Sequence, residues 1–181
     1  MPLKFSNFCD SIDSINRNVG LSIRWFALVM VLVQFSIVMI RYLFGVSYIF
    51  LGESVLYMHA ALFMIGAGYT MLVDGHVRVD IFYASYSVRK KALVNLLGHI
   101  FFLLPMCILI VIMSWRFVFN SWSIMEGALS VGGIPALYLL KTIIPLFCGL
   151  LIVQAIAAIA RESMIVFNHQ ATPPREKEEA G

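Results

Sequence analysis

The residues with the most potential for chemistry follow the second apolar segment, in Asp74-Gly75-His76-Val77-Arg78-Val79-Asp80. Polar His76, Arg78 and Asp80 alternate with valines, so the apolar side chains can lie in a membrane interface while the polar ones reach charged partners. Gly75 is predicted to end the preceding helix. A metal site through His76 and Asp80 is not indicated, because two ligands are too few. The motif therefore favours a polar docking or ordering segment.

Four other ionisable residues lie beside or within apolar segments. Arg41, Arg116 and Lys141 are close to segment ends, where an aliphatic stem lets the charged group reach the lipid headgroups. Glu53 opens the second segment, where the helix dipole stabilises an acid, although pairing with a basic residue of a partner is an equal alternative. None of them lies deep in a segment, where a residue of an ion pathway is expected.

No cofactor is predicted. His59 and His99 suggest haem ligation, but the second and third segments run in opposite directions, which places the two imidazoles near opposite membrane faces. Hydrogen bonds between helices are the favoured role for both. Cys9, Cys107 and Cys148 lack the spacing of a metal site or a redox pair, and we expect them to be reduced.

Four apolar segments each approach or exceed the ~20 residues that a bilayer requires. The chain has 181 residues and a mean hydropathy of +0.89, so its class is an all-α integral membrane protein, not an enzyme with a soluble domain. We expect one membrane domain over residues 1–165 and a disordered tail over 166–181. The predicted transmembrane helices are 23–43, 54–73, 93–119 and 136–160.

Basic residues predict the orientation. Ten of the 13 lie before or at the start of the first segment, between the second and third, or after the fourth; the exceptions are Arg41, Arg116 and Lys141. By the positive-inside rule both termini and the middle connection are cytoplasmic. This pattern also accounts for the net charge of +3, and nothing in the chain indicates binding to nucleic acid.

The first twenty residues lack an uninterrupted apolar core and a cleavage site, so no removable signal peptide is predicted. Phe5, Phe8, Ile12 and Ile15 instead recur at spacings of three and four. They predict a short amphipathic helix lying along the inner leaflet, with a frayed tail as an equal alternative.

Small residues mark the second segment, where Gly66 and Gly68 accompany alanines at heptad spacing. They predict close helix approach, either within this chain or with a partner. Pro105 and Pro145 are expected to kink the third and fourth segments.

These motifs together resemble the DctQ-type small membrane subunit of TRAP (tripartite ATP-independent periplasmic) transporters. The most specific part is Gly75 to Asp80. A later stretch is similar to the branch labelled mannitol/chloroaromatic-type, whereas a single acid, Glu53, stands where many members have paired acids. The residues that carry the resemblance are Arg41-Tyr42-Leu43-Phe44-Gly45, Glu53, Gly66-Ala67-Gly68, Gly75 to Asp80, Ser121-Trp122, Glu126, Gly132-Gly133-Ile134-Pro135 and Lys141 to Pro145.

The resemblance implies a scaffold subunit in the bacterial inner membrane. It implies a large DctM-type elevator subunit that carries substrate and sodium, and a periplasmic protein that delivers a small organic acid or related solute. Phospholipids would surround the chain, and sodium would bind the large subunit. The expected interface residues are Arg41, Glu53, Gly66, Gly68, His76, Arg78 and Asp80. The outer connection is expected either to touch the periplasmic protein or to pack on its own bundle, through Trp122, Glu126, Gly132, Gly133, Pro135 and Lys141.

Two other classes of protein share this layout. One is a membrane anchor of a respiratory or redox complex, and the other is a small exporter that works as an oligomer. The exporter would be expected to carry an acid deep in a span, for which Glu53 is poorly placed. Neither class accounts for the Gly75 to Asp80 motif.

Overall fold

The computed structural model describes residues 2–77 and 83–167, with side chains from residue 8 onward. All regular structure in these ranges is helical, as predicted. The predicted tail from 168 onward, the side chain of Phe5, and Arg78 and Asp80 lie outside the described residues. The helices are α1 Pro2–Ile23, α2 Trp25–Phe44, α3 Ile49–Leu72, α4 Val88–Gly98, a π-helical turn His99–Leu103, α5 Leu104–Ser123 and α6 Leu137–Phe167.

Four stretches of helix are long and apolar enough to cross a membrane: Phe8–Phe44, Ile49–Leu72, Val88–Ser123 and Leu137–Phe167. Each contains most or all of one of the predicted segments. The helices extend past the segments because polar residues at helix ends do not stop a helix, although they lower the hydropathy. We call the end with residue 8, the 73–87 connection and Phe167 the terminus end, and the end with residues 124–136 the loop end.

The third span departs from α-helical geometry just before Pro105. Proline has no N–H, and its ring clashes with the carbonyl of the residue four places earlier, here Phe101. The chain widens into a π-helical turn over His99–Leu103, in which the Leu104 N–H bonds to the His99 carbonyl five residues back. Pro145 lies inside α6, which is assigned as one helix. The distortion expected from Pro105 is therefore seen as a π-helical turn in the third span.

The spans pack as a row. Among the described residues, α3 packs against α2 on one side and α6 on the other, and α5 packs against the far side of α6. At the contact between α5 and α6, Cys107 and Cys148 are buried side by side as free thiols. Seven residues of α6 are buried and none of α2, so α6 is the central helix and α2 the edge.

Helix α1 packs into the angle between α3 and α6 at the terminus end. A Cβ on Gly20 would overlap the side chain of Tyr69, and a Cβ on Gly68 would overlap the amide of Asn16. Gly66 faces Ile23 at ordinary van der Waals distance, 3.8 Å from its added Cβ to Ile23 Cγ2. Gly66 and Gly68 therefore allow α1, a helix of the same chain, to pack closely against α3.

The buried face of α1 differs from the face that the apolar spacing indicates. Phe8 and Ile15 are each 54% exposed, whereas Cys9, Ile12 and Asn16 are buried against α6. Only Ile12 belongs to both sets. The apolar pattern did not identify the buried face of α1 because that face includes the polar residue Asn16. The buried face is therefore rotated away from the apolar one. That α1 also lies against the inner leaflet stays a prediction, to which the exposed Phe8 and Ile15 are suited.

Replacing Gly20 by alanine should destabilise the chain. The new methyl would overlap Tyr69 Cβ, which is fixed by the α3 backbone, so helices α1 and α3 must separate. We expect a loss of about 1–3 kcal/mol, as for other overpacked contacts. Thermal unfolding in detergent measures it. Gly149→Ala is the matched control, because nothing lies within 4 Å of its Cβ position and the added helix propensity should leave stability unchanged or higher. Equal melting temperatures for the two variants would contradict the packing.

Candidate functional site

At the loop end, Glu126 joins the third and fourth spans. Its Oε2 accepts hydrogen bonds from Lys141 Nζ of α6 and from Ser121 Oγ of α5, the latter at 2.6 Å. Its backbone adds two more links, as its N–H bonds the Ser121 carbonyl at 3.0 Å and its carbonyl accepts from the Leu137 N–H at 3.2 Å. The Lys141 ammonium also lies 4.0 Å from the centre of the Phe117 ring. One carboxylate thus holds both helix ends and the connection between them.

Hydrogen bonds from Lys141 and then Ser121 lower the pKa of Glu126. Both donors favour the ionised carboxylate, and burial opposes them only weakly. The ion pair is partly open to solvent, with side-chain exposures of 15% for Lys141 and 29% for Glu126. An ion pair that is partly open to solvent adds little free energy, so its main effect is to hold the Lys141 and Glu126 side chains in fixed positions.

Glu53 of α3 closes the same connection from the other side. Its side chain is only 8% exposed, and its Oε2 accepts the backbone N–H of Ile134 at 2.7 Å. Gly133 packs directly on the carboxylate, where any Cβ would overlap both oxygens. The second oxygen, Oε1, is buried without a hydrogen bond among the described residues. Glu53 is therefore a latch within the chain, and it offers little surface to another protein.

The remaining predicted residues of the connection vary in exposure. Trp122 donates from Nε1 to Thr142 Oγ1 at 2.8 Å and contacts Tyr138 edge to face, with ring centroids 4.6 Å apart. Gly132 adopts a positive φ of 82°, which glycine permits at no steric cost. Pro135 is exposed. We call Glu53, Ser121, Trp122, Glu126, Gly133, Ile134, Lys141 and Thr142 the loop-end cluster.

A second polar cluster lies toward the terminus end, where α1 meets α6. Asn16 and Gln154 are each 1% exposed, and the Asn16 amide donates to Gln154 Oε1 at 2.7 Å. Gln154 in turn donates to Asp13 Oδ1 at 3.1 Å, and Arg161 binds the same carboxylate with both terminal nitrogens. We call Asp13, Asn16, Gln154 and Arg161 the terminus-end cluster. It attaches α1 to the central helix.

A neighbouring set of bonds ties the start of the third span to the same end of α6. Asn95 of α4 donates to Glu162 Oε1 at 3.0 Å and accepts from the Tyr83 hydroxyl at 3.1 Å. Lys91 lies 5.3 Å from the centre of the Tyr83 ring. The chain is thus fixed to α6 directly after the 74–80 motif.

The first half of that motif ends α3. The helix ends at Leu72, and the left-handed residue is Asp74, with φ 55°, and not the predicted Gly75. The Gly75 N–H bonds the Thr70 carbonyl at 2.8 Å, and a Cβ on Gly75 would lie 3.2 Å from Thr70 Cγ2. Glycine is therefore used here for close approach. His76 is exposed.

Comparison with protein families identifies one family whose model covers most of this chain. Residues 30–163 match the family described as "Tripartite ATP-independent periplasmic transporters, DctQ component". The chain belongs to this family. The match covers most of the chain and includes the loop-end cluster, Gln154 and Arg161. No curated protein and no solved structure matches the chain.

DctQ membership makes the chain the small subunit of a TRAP transporter, a transport component from a family that is not enzymatic. The family works with a large DctM subunit and a periplasmic binding protein. His59 is exposed on α3 and His99 lies in the π-helical turn, two elements that have no substantial contact with each other. The redox-anchor alternative therefore finds no paired imidazoles in the described residues.

The DctQ interface residues expected from sequence fall into two groups. Arg41 and His76 are exposed, so a partner can reach them. Glu53 and Gly68 are buried, and each contacts another element of its own chain. That any of these residues touches the large subunit stays a prediction.

Asn16 and Gln154 were missed by the sequence interpretation. The signal was present, since Gln154 is a polar residue inside an apolar segment and such residues usually bond across helices. Its partner could not be inferred, because Asn16 lies 138 residues earlier in a segment expected at the membrane surface.

The stabilisation from the Glu126 carboxylate should depend on pH. Its pKa is lowered in the folded state, so the stabilisation is complete above the ordinary value of ~4.3 and is lost as pH falls through the lowered pKa. Melting temperatures of the parent and of Glu126→Gln between pH 7 and pH 3 measure this. The parent should melt higher at pH 7, and the difference should shrink below about pH 4. A difference that is constant down to pH 3 would contradict the assignment.

Removing the Glu53 latch should free the loop-end connection. Glu53→Leu keeps the volume approximately but leaves the Ile134 N–H without its acceptor, at a cost of about 1–3 kcal/mol. We expect faster proteolytic cleavage between residues 124 and 136, measured by mass spectrometry of the fragments. Glu53→Gln is the control because its amide oxygen still accepts that N–H, so cleavage should stay close to the parent rate. Equal cleavage of all three proteins would show that Glu53 is not a latch.

Proposed function

We propose that this chain is the scaffold subunit that widens and holds the fixed part of a large elevator-type subunit. The complete transporter would use a sodium gradient to take up a small organic acid or related solute that a periplasmic binding protein delivers. The observation that carries the proposal is that polar clusters at both ends tie α1, α5 and the connection held by α3 to the central helix α6. A subunit against which another domain slides needs that rigidity.

The distribution of buried polar groups supports a role without substrate binding in this chain. Among the described residues, the buried polar side chains are Asn16, Glu53, Ser121 and Gln154, and all belong to the two clusters. A transporter that binds a polar solute itself usually places such groups, or unwound helices, at the middle of the membrane. The interior between the clusters is apolar and contains Cys107 and Cys148, whereas Leu151 lies one turn from Gln154 at its edge.

The orientation follows from the basic residues. The terminus end carries Arg17, Arg24, Arg161 and residues 89–91, and we assign it to the cytoplasm. The loop end would then face the periplasm of a bacterial inner membrane. In this orientation the 124–136 connection meets the delivering protein as a pre-ordered surface, because Glu53 and Glu126 already hold it.

The resemblance to the mannitol/chloroaromatic branch rests on residues that largely form the loop-end cluster. Ser121 and Lys141 both donate to Glu126, and Gly133 packs on Glu53. We infer that what this branch shares is a way of locking the periplasmic connection. Such a lock carries no information on the transported solute.

Reconstituted transport tests the scaffold function. Proteoliposomes that contain the large subunit and this chain should accumulate the solute under an inward sodium gradient when the binding protein is added. Omitting this chain should reduce uptake at least about tenfold, because the elevator would lack its fixed support. This chain alone should give no uptake above empty vesicles. Full uptake by the large subunit alone would contradict the scaffold role, and uptake by this chain alone would favour the small exporter.

A further inference from the structure

A groove of about 430 Å³ opens to the outside between α2 and α3. Five of its six lining residues are apolar, as expected for a surface in contact with lipid. The exception is a glutamine on α2. The lining residues are Met30, Val31, Gln34, Phe35, Val38 and Val55.

Gln34 lies at the middle of its span. It is about 14 Å along the axis from Trp25 and about 15 Å from Phe44, the two ends of α2. Its side chain is exposed and makes no hydrogen bond among the described residues. A glutamine side chain is too short to reach either headgroup layer from there, and hydrocarbon offers it no hydrogen bond. The described part of the chain offers this exposed amide no hydrogen bond, which points to a group of another subunit as its partner.

His59 repeats this situation on α3. It lies one helical turn from Val55, on the same helix face, and about 15 Å from the helix start at Ile49. Its ring is exposed, and its contact among the described residues is with Phe63, at 5.7 Å between centroids. Phe63 is one turn further along and 74% exposed. Gln34 lines the groove, and His59 lies one turn beyond the lining residue Val55. Both polar side chains are near the middle of their helices, which is deeper than the sequence interpretation placed His59.

We propose that this groove, bordered by Gln34 and His59, is where a transmembrane helix of the large subunit docks. That helix would insert an apolar ridge into the groove and supply a hydrogen-bonding side chain to the Gln34 amide. This inference rests on the proposed function, since it names the surface by which the scaffold is attached. It also accounts for the absence of buried residues on α2, which would be covered only in the complex.

Two other occupants fit less well. A lipid acyl chain could fill the groove but has no donor or acceptor for Gln34 at that depth. A second copy of this chain would bring groove against groove, and a concave surface is not complementary to itself. A helix with one polar side chain satisfies both the shape and the amide.

Photocrosslinking in the native membrane with the complete transporter identifies the occupant. Benzoylphenylalanine at Phe35, which is 63% exposed and lines the groove, should crosslink to the large subunit. Phe101 is the matched control, because it is 66% exposed but lies in the π-helical turn, which has no substantial contact with α2. It should give at least fivefold less of that product. Crosslinks from Phe35 to lipid or to a second copy of this chain would overturn the proposal.

Substitution of the amide gives an independent readout. Gln34→Met keeps the length of the side chain without its hydrogen bonds, and it should weaken association with the large subunit about 3- to 20-fold in detergent titrations. Ser36→Ala is the control on the same helix, because the Ser36 hydroxyl already bonds the Leu32 carbonyl at 2.8 Å. It should stay within twofold of the parent. If Gln34→Met binds as tightly as the parent, the groove is not the docking surface, although the scaffold function stands. If the parent chain does not bind the large subunit, the proposed function fails as well.

Discussion

Hydrocarbon cannot form hydrogen bonds, and the arrangement of the polar side chains described in the spans follows from that constraint. A polar group in a span must bond within its chain, reach the headgroups or find a partner subunit. The two clusters show the first solution: Glu53, Glu126 and Lys141 at the loop end, and Asn16 and Gln154 toward the terminus end. Arg41, exposed at the end of α2, is suited to the second.

The clusters also make a row of helices stable where hydrophobic burial cannot. Apolar helices gain little from leaving lipid for one another, so packing and a few interhelical hydrogen bonds must hold them. The central helix α6 carries partners for its neighbours at both ends: Lys141 for the α5 connection, Gln154 and Arg161 for α1, and Glu162 for α4. The small residues of α3 then allow α1 to approach its backbone closely.

Sequence was sufficient for the features that depend on composition along the chain. Span number follows from the length and hydropathy of the apolar segments, and family membership from local motifs such as Gly75 to Asp80. It was insufficient where two distant segments define one contact. The Glu53 latch joins residues 81 positions apart, so the acid could be read equally well as a partner contact. Likewise, the buried stripe of α1 is set by Asn16, whose partner on α6 no spacing rule identifies.

The long separation between Asn16 and Gln154 has a consequence for biosynthesis. Gln154 is made 138 residues after Asn16, which at 5–20 residues per second is a delay of roughly 7 to 30 s. During that time α1 has been synthesised but the helix that receives its polar side chains has not. Until α6 has been made, the exposed Phe8 and Ile15 give α1 an apolar stripe that is suited to binding at the membrane surface. The contacts of α1 with α3 can therefore form well before its hydrogen bonds to α6, which have to wait until the fourth span has been made.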